Sequence, residues 1–110
     1  MKVEPFRIVQ EETNEQYILH LIGELDLSVV QQLRDTLEPV ISRTDKDLVL
    51  NLKQLTYIDS TGIGIIVSIL KLRVGLNAPF FVIETPPGIK RLFDLTGITK
   101  YLTEGTEAEA

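Results

Sequence analysis

Cysteine is absent from the 110 residues, so neither a disulfide framework nor a thiolate metal site is available, which fits a reducing compartment. Histidine occurs once, at His20, which strand alternation places on one face between Ile18 and Ile22. That setting suits a packed or edge-exposed strand residue better than a catalytic or metal-ligating one. Basic clusters are equally scarce: none is longer than the pair Lys90 and Arg91, and the net charge is −5 with a pI near 4.8. A primary role in binding nucleic-acid phosphates is therefore disfavoured, and basic or amphipathic protein partners fit better. Long apolar runs are missing too. The opening MKVEPFRIVQEE has no apolar signal segment, and the run 63–72 is too short and too interrupted to span a bilayer. The expectation is a cytoplasmic protein with no membrane association and no bound cofactor or metal.

What is present is 44% apolar residues, enough for a core without staples in a chain of one domain's length. The reading is one domain over residues 1–103 and an acidic, small-residue, disordered tail over 104–110.

Phe6 to Glu11 and Tyr17 to Ile22 read as two strands joined by a turn at Thr13, Asn14 and Glu15. Gly23 is expected to break the second strand. Ser28 with Gln31 then fits a capping box, and Val30, Leu33, Leu37 and Ile41 recur at helical spacing behind it. This predicts a helix over 27–42, kinked or ended early by Pro39. Leu48 to Leu52 is a strand whose leucines share a face, parallel to its predecessor because a helix crosses between them. Phe80 to Ile83 is a buried strand, Pro86 and Pro87 open a last helix, and Gly97 ends it. Tyr101 and Leu102 are expected to add a short terminal strand. The result is an α/β fold: a mixed sheet of four to five strands with helices mainly on one side.

The stretch YIDSTGIGIIVSILKLR, 57–73, is where the chemistry concentrates. Asp59, Ser60 and Thr61 offer three consecutive side chains of the helix-capping type, and the simplest role for Ser60 is an N-cap. Gly62 and Gly64 fall in the first turn of the helix that follows, at a local cost of about 0.5 to 1 kcal/mol each. Something there favours a bare backbone, either packing against a neighbour or approach by a partner. The helix is apolar nearly all round, so it is buried or keeps one side for a partner. A phosphate on Ser60 would meet the positive end of the helix dipole yet lie beside Asp59 and add about 1.5 to 2 negative charges. Ser60 and the segment Gly23-Glu24-Leu25-Asp26 both follow carboxyl ends of parallel strands, the edge at which open α/β sheets usually work.

Three segments in order carry a resemblance: Gly23-Glu24-Leu25-Asp26, then 57–64 (YIDSTGIG), then 89–97 (IKRLFDLTG). Together they resemble the STAS domain of the bacterial anti-sigma factor antagonists, over about residues 4–103. The resemblance implies a STAS-like sheet and a non-enzymatic partner switch in sporulation or general-stress signalling. Its acceptor serine, Ser60 here, is phosphorylated by an anti-sigma factor that is a serine kinase of the histidine-kinase-like ATPase fold. Unmodified protein captures the kinase and frees a sigma factor, and a metal-dependent phosphatase resets the cycle. Carried over residue by residue, the implied partner surface comprises Glu24, Asp26, Asp59, Ser60, Thr61, Gly62 and Gly64. Thr61 leaves a second hydroxyl as an acceptor. The implied protein is a monomer or weak dimer.

Two other readings compete. An esterase-like triad of Asp59, Ser60 and His20 has neither the order nor the spacing of a nucleophile elbow. A STAS subunit or scaffold in a stress-signalling or lipid-transport complex would share the fold without acting on a sigma factor.

Overall fold

The computed structural model describes residues 5–98 and 103–104. Strands β1 (Arg7–Glu12) and β2 (Gln16–Leu25) form an antiparallel hairpin, closed where the Thr13 amide donates to the Gln16 carbonyl at 2.8 Å. A short 3₁₀ turn, Leu27–Val29, leads into α1 (Val30–Leu37), followed by β3 (Asp47–Asn51) and β4 (Leu55–Ile58). Helix α2 (Ser60–Gly75), β5 (Phe80–Ile83), α3 (Pro87–Thr96) and β6 (Thr103–Glu104) complete the order. Five strands lie side by side as β1-β2-β3-β5-β6, all neighbours after the hairpin being parallel. The mixed sheet read from the sequence is therefore present.

Alternation decides which face is buried. Leu19, Leu21, Leu48, Leu50 and Val82 are at most 0% exposed and join one cluster with Leu33 of α1, Ile66 of α2 and Phe93 of α3. All three helices thus cover the same sheet face. Each fully buried leucine contributes about 1.5 to 3 kcal/mol of transfer free energy, so truncating Leu50 would remove both that and its packing partners.

Four local readings change. Gly23 does not break β2: its φ of 100° lets the strand bulge and continue, so that β2 pairs with β3 over Gln16 to His20 and with β4 over Gly23 to Leu25. Strand β4 itself was not separated from β3 in the sequence, because no glycine or proline between Leu52 and Leu55 marks the turn that the Leu55 amide closes on the Leu52 carbonyl at 3.0 Å. The first helix starts later and ends at Leu37, before Pro39, with Ile41 left as a loop anchor. Ser28 is not its cap; Asp26 is the residue that caps the turn. At the other end of the chain, Gly97 closes α3 at φ 80°, and the Ile98 amide donates to the Phe93 carbonyl at 3.2 Å, as the glycine predicts. Tyr101 and Leu102 lie outside the described residues. The short strand falls at Thr103–Glu104, and the remaining tail, 105–110, is likewise outside them.

Helix α2 is held from its far end. Arg73 is 0% exposed, and its guanidinium donates to the carbonyls of Ile41, Arg43, Lys46 and Pro79, tying the α1–β3 loop and the approach to β5 onto the helix. Burial pushes its pKa down from the ordinary arginine value, while Asp47 and Asp45 oppose the shift. The core-facing stripe of α2 is consequently Gly62, Ile65, Ile66, Ile69 and Arg73. Leu72, Val74 and Leu76 stay exposed.

Candidate functional site

The site is built at the carboxyl ends of β2 and β4. Their parallel register sets Glu24 beside Tyr57 and Leu25 beside Ile58, and the Asp59 amide donates to the Leu25 carbonyl at 3.3 Å. The chain thereby brings the Glu24 to Asp26 segment against the start of α2. Adjacency of the two motifs was legible in the sequence; the strand that creates it, β4, was not.

Asp59 caps α2: its Oδ1 accepts from the Gly62 amide at 2.9 Å, and its carbonyl accepts from the Ile63 amide at 3.0 Å. Ser60 is therefore the first helical residue and not the cap. Its side chain is exposed, and among the described residues its hydroxyl has no hydrogen-bond partner. Thr61 is half-buried. Of two neighbouring hydroxyls, only Ser60 stands clear of both structure and cover.

The two first-turn glycines separate as well. A Cβ on Gly62 would stand 2.7 Å from Ile58 Cγ1 and 2.9 Å from Leu25 Cγ, so the bare backbone lets α2 sit down on β2 and β4. A Cβ on Gly64 would meet no neighbouring side chain or other element within 4 Å. Packing explains Gly62 and leaves Gly64 unexplained by this chain.

Charge is distributed unevenly. At the amino-terminal edge of the sheet acids and bases pair, Lys46 Nζ 2.6 Å from Glu12 and Arg43 2.9 Å from Asp45, while midway along the β1–β2 hairpin His20 Nε2 lies 2.9 Å from Glu11. Hydrogen bonding from Lys46 holds the Glu12 carboxyl below its ordinary range, and Arg43 does the same for Asp45. At the Ser60 edge, Glu24, Asp26 and Asp59 have no cation within ion-pair distance among the described residues. Asp26 instead takes the Ser28 amide at 2.9 Å and the Ser28 hydroxyl at 2.6 Å on Oδ1, fixing the turn that lifts Leu27 to 71% exposure. Tyr57 is 48% exposed beside a shallow groove of about 420 Å³ between β4 and α3, which Leu92 also lines. The sequence reading missed Leu27 by placing it inside a helix; an apolar residue directly after a capping aspartate was the available signal.

His20 does not face Ser60 chemistry. It lies on the sheet face away from the helices and is engaged with Glu11. Among the described residues no group of three or more His, Asp or Glu side chains could hold a metal, and no helix is long and apolar enough to cross a membrane.

Comparison with known proteins agrees with this geometry. The STAS domain family profile matches residues 7–110. An anti-sigma-B factor antagonist of Staphylococcus aureus is 34% identical over 95 residues, covering 84% of this chain and 88% of its own. The solved anti-sigma factor antagonist SpoIIAA in its unphosphorylated form superposes with a TM-score of 0.73 at 23% identity, over 96% of this chain and 91% of its own. The phosphorylated form of SpoIIAA, a Bacillus cell fate determinant, gives 0.69 at 23% identity, over 96% and 95%. With the sheet, the paired motifs and these relatives in place, the chain belongs to the STAS domain family, in the company of bacterial anti-sigma factor antagonists.

Proposed function

We propose that the protein is an anti-sigma factor antagonist working by partner switching at Ser60. Unphosphorylated, it binds an anti-sigma serine kinase of the histidine-kinase-like ATPase fold and so releases a sigma factor. Phosphorylated on Ser60, it lets go, and a metal-dependent serine phosphatase restores it. The role is regulatory, not enzymatic, and cytoplasmic.

The observation that carries this reading is the uncommitted, exposed Ser60 hydroxyl at a helix start that Asp59 already caps. A serine needed for capping would be shielded from a kinase by its own amide partner. Here structure and switch are divided between adjacent residues. The S. aureus relative's name and the solved phosphorylated relative lend support from outside the chain.

Repulsion gives the off state. Asp59 holds the Gly62 amide, so a phosphate on Ser60 arrives where the best helix-end donor is taken and where Asp59, Asp26 and Glu24 are already negative. About 1.5 to 2 further negative charges on an edge that offers carboxylates to a basic partner would change its chemistry without refolding the domain. The exposed Leu27 and Tyr57 supply the apolar part of that surface, and open space at Gly64 admits close approach of a partner's nucleotide loop.

The test is site mapping by mass spectrometry after incubation with ATP and the serine kinase encoded in the same genome. Phosphate is expected on Ser60 and none on the Ser60→Ala variant. Modification confined to Thr61 would show the acceptor wrongly assigned.

A further inference from the structure

Strand β4 is paired on one side only. It continues the line of β3 along β2, and among the described residues it has no ladder but the one to β2. The neighbour of β3 on its other side is β5, which reaches as far as Ile83, whose carbonyl takes the Leu52 amide at 3.0 Å. There the chain leaves the sheet. Glu84 turns at φ 57°, and Pro86 and Pro87, which have no N–H to give to a ladder, lead into α3. Strand β5 therefore stops where β4 begins, and the side of β4 that a longer β5 would cover is open. The Asp59 amide faces β2, donating to Leu25, and in-plane groups alternate along a strand, so the amide and carbonyl of Ile58 face this open side.

The groove of about 420 Å³ between β4 and α3 lies there. All four residues of β4 line it, although successive side chains of a strand point to opposite faces, so the groove follows the strand's edge and not one face of the sheet. Its far wall is Pro86 with Gly88, Ile89 and Leu92 of α3. We propose that this edge docks one extended segment of a partner protein, which adds to β4 as a strand, apolar at alternate residues and basic where it passes Asp59. Main-chain hydrogen bonding to an unpaired edge selects an extended backbone, and alternate side chains enter the apolar slot between β4 and Leu92. Charge selects the basic end: Glu24 stands beside Tyr57, Asp59 follows β4, and neither has a cation within ion-pair distance among the described residues. The chain's own carboxyl end, with Glu107 and Glu109, carries the wrong sign. A second copy has the wrong shape, because each β4 edge lies in a groove walled by its own α3 and two such edges do not meet. Docking engages the backbone of β4, not the Ser60 hydroxyl, and needs no phosphorylation.

Amide NMR of the full chain, titrated to about 5 mM with the blocked heptapeptide KVTVTVK, tests this. The amides of residues 56–58 are expected to shift, and that of Ile58 to exchange more slowly with solvent. The peptide EVTVTVE, with glutamate for both lysines, should bind wild type at least about fivefold more weakly. Gly88→Leu places a side chain in the groove where a Cβ meets no neighbouring element within 4 Å, and should weaken binding by about tenfold or more. Gly75→Leu, at an equally open position outside the groove, should leave binding unchanged. The same spectra report whether each variant is folded, and the acidic peptide tests the edge on wild type alone. No shift at β4 at the highest peptide concentration, equal binding of the acidic peptide, or folded Gly88→Leu binding like Gly75→Leu would each overturn the proposal. So would β4 shifts on concentrating the protein without peptide, which would assign the edge to a second copy.

Discussion

Replacing Gly62 with alanine puts a methyl group 2.7 Å from Ile58 Cγ1, 2.9 Å from Leu25 Cγ and 3.0 Å from the Leu25 carbonyl oxygen. Leu25 is 0% and Ile58 2% exposed, so neither side chain can swing into solvent. The carbonyl is backbone that also accepts from the Asp59 amide, so the methyl can be accommodated only by lifting the α2 start off β2 and β4. Overpacking of this kind costs about 1 to 3 kcal/mol, and the gain in helix propensity returns at most ~1 kcal/mol. Gly64→Ala meets no neighbouring side chain or other element within 4 Å and should keep the propensity gain. The two variants, identical in chemistry and two positions apart, should differ by roughly 2 kcal/mol, with Gly62→Ala below wild type and Gly64→Ala at or above it. In a chain of this size that corresponds to a gap of about 8 °C or more in Tm, readable by circular dichroism and by urea midpoints. Gly62→Ala as stable as Gly64→Ala would refute the close approach. Binding adds a second reading. If Gly64 is bare for a partner, Gly64→Ala should weaken kinase binding while being the more stable protein.

Other consequences follow from single contacts. Arg73→Ala removes the donor shared by four part-buried carbonyls, of which only that of Pro79 keeps another, the Leu48 amide, and empties the volume of the side chain; it should cost about 2 to 5 kcal/mol in urea unfolding, and a loss under ~1 kcal/mol would show the clamp dispensable. Asp26→Ala removes both hydrogen bonds to Ser28 and should cost about 1 kcal/mol while loosening the Leu27 turn, measurable as faster amide exchange at Ser28 and Val29. The carboxyls of Glu12 and Asp45 are held below their ordinary values by Lys46 and Arg43, so what they contribute is present above the ordinary carboxylate range and is lost as pH falls through the depressed values. Urea midpoints should therefore drop on acidification, and Glu12→Gln should flatten that drop; an unchanged acid slope would place the sensitivity elsewhere.

The sequence disclosed what depends on pattern and hid what depends on who packs against whom. Alternation in Leu48 to Leu52, the glycine at 97 and the prolines at 39, 86 and 87 were each sufficient to locate an element or its end, because each acts through local geometry. Gly23 misled, since a glycine that breaks a strand and one that bulges it look alike until the partner strand β4 is seen. Arg73 was invisible for the same reason: its four acceptors lie 6 to 32 residues away along the chain, and no periodicity announces them. At the site, the acidic residues and Ser60 were legible from type and spacing. The division of labour between them was not, because three consecutive capping residues gave no sign that Asp59 alone would take the cap and leave Ser60 free.

The account stands on the Ser60 hydroxyl deciding what the protein holds. Titrating the kinase with unmodified protein and with protein phosphorylated on Ser60, in the same buffer, asks this directly. The phosphorylated form should bind at least about tenfold more weakly, a loss of ~1.4 kcal/mol, with Ser60→Ala retaining wild-type affinity. Equal affinity of the modified and unmodified forms would contradict it.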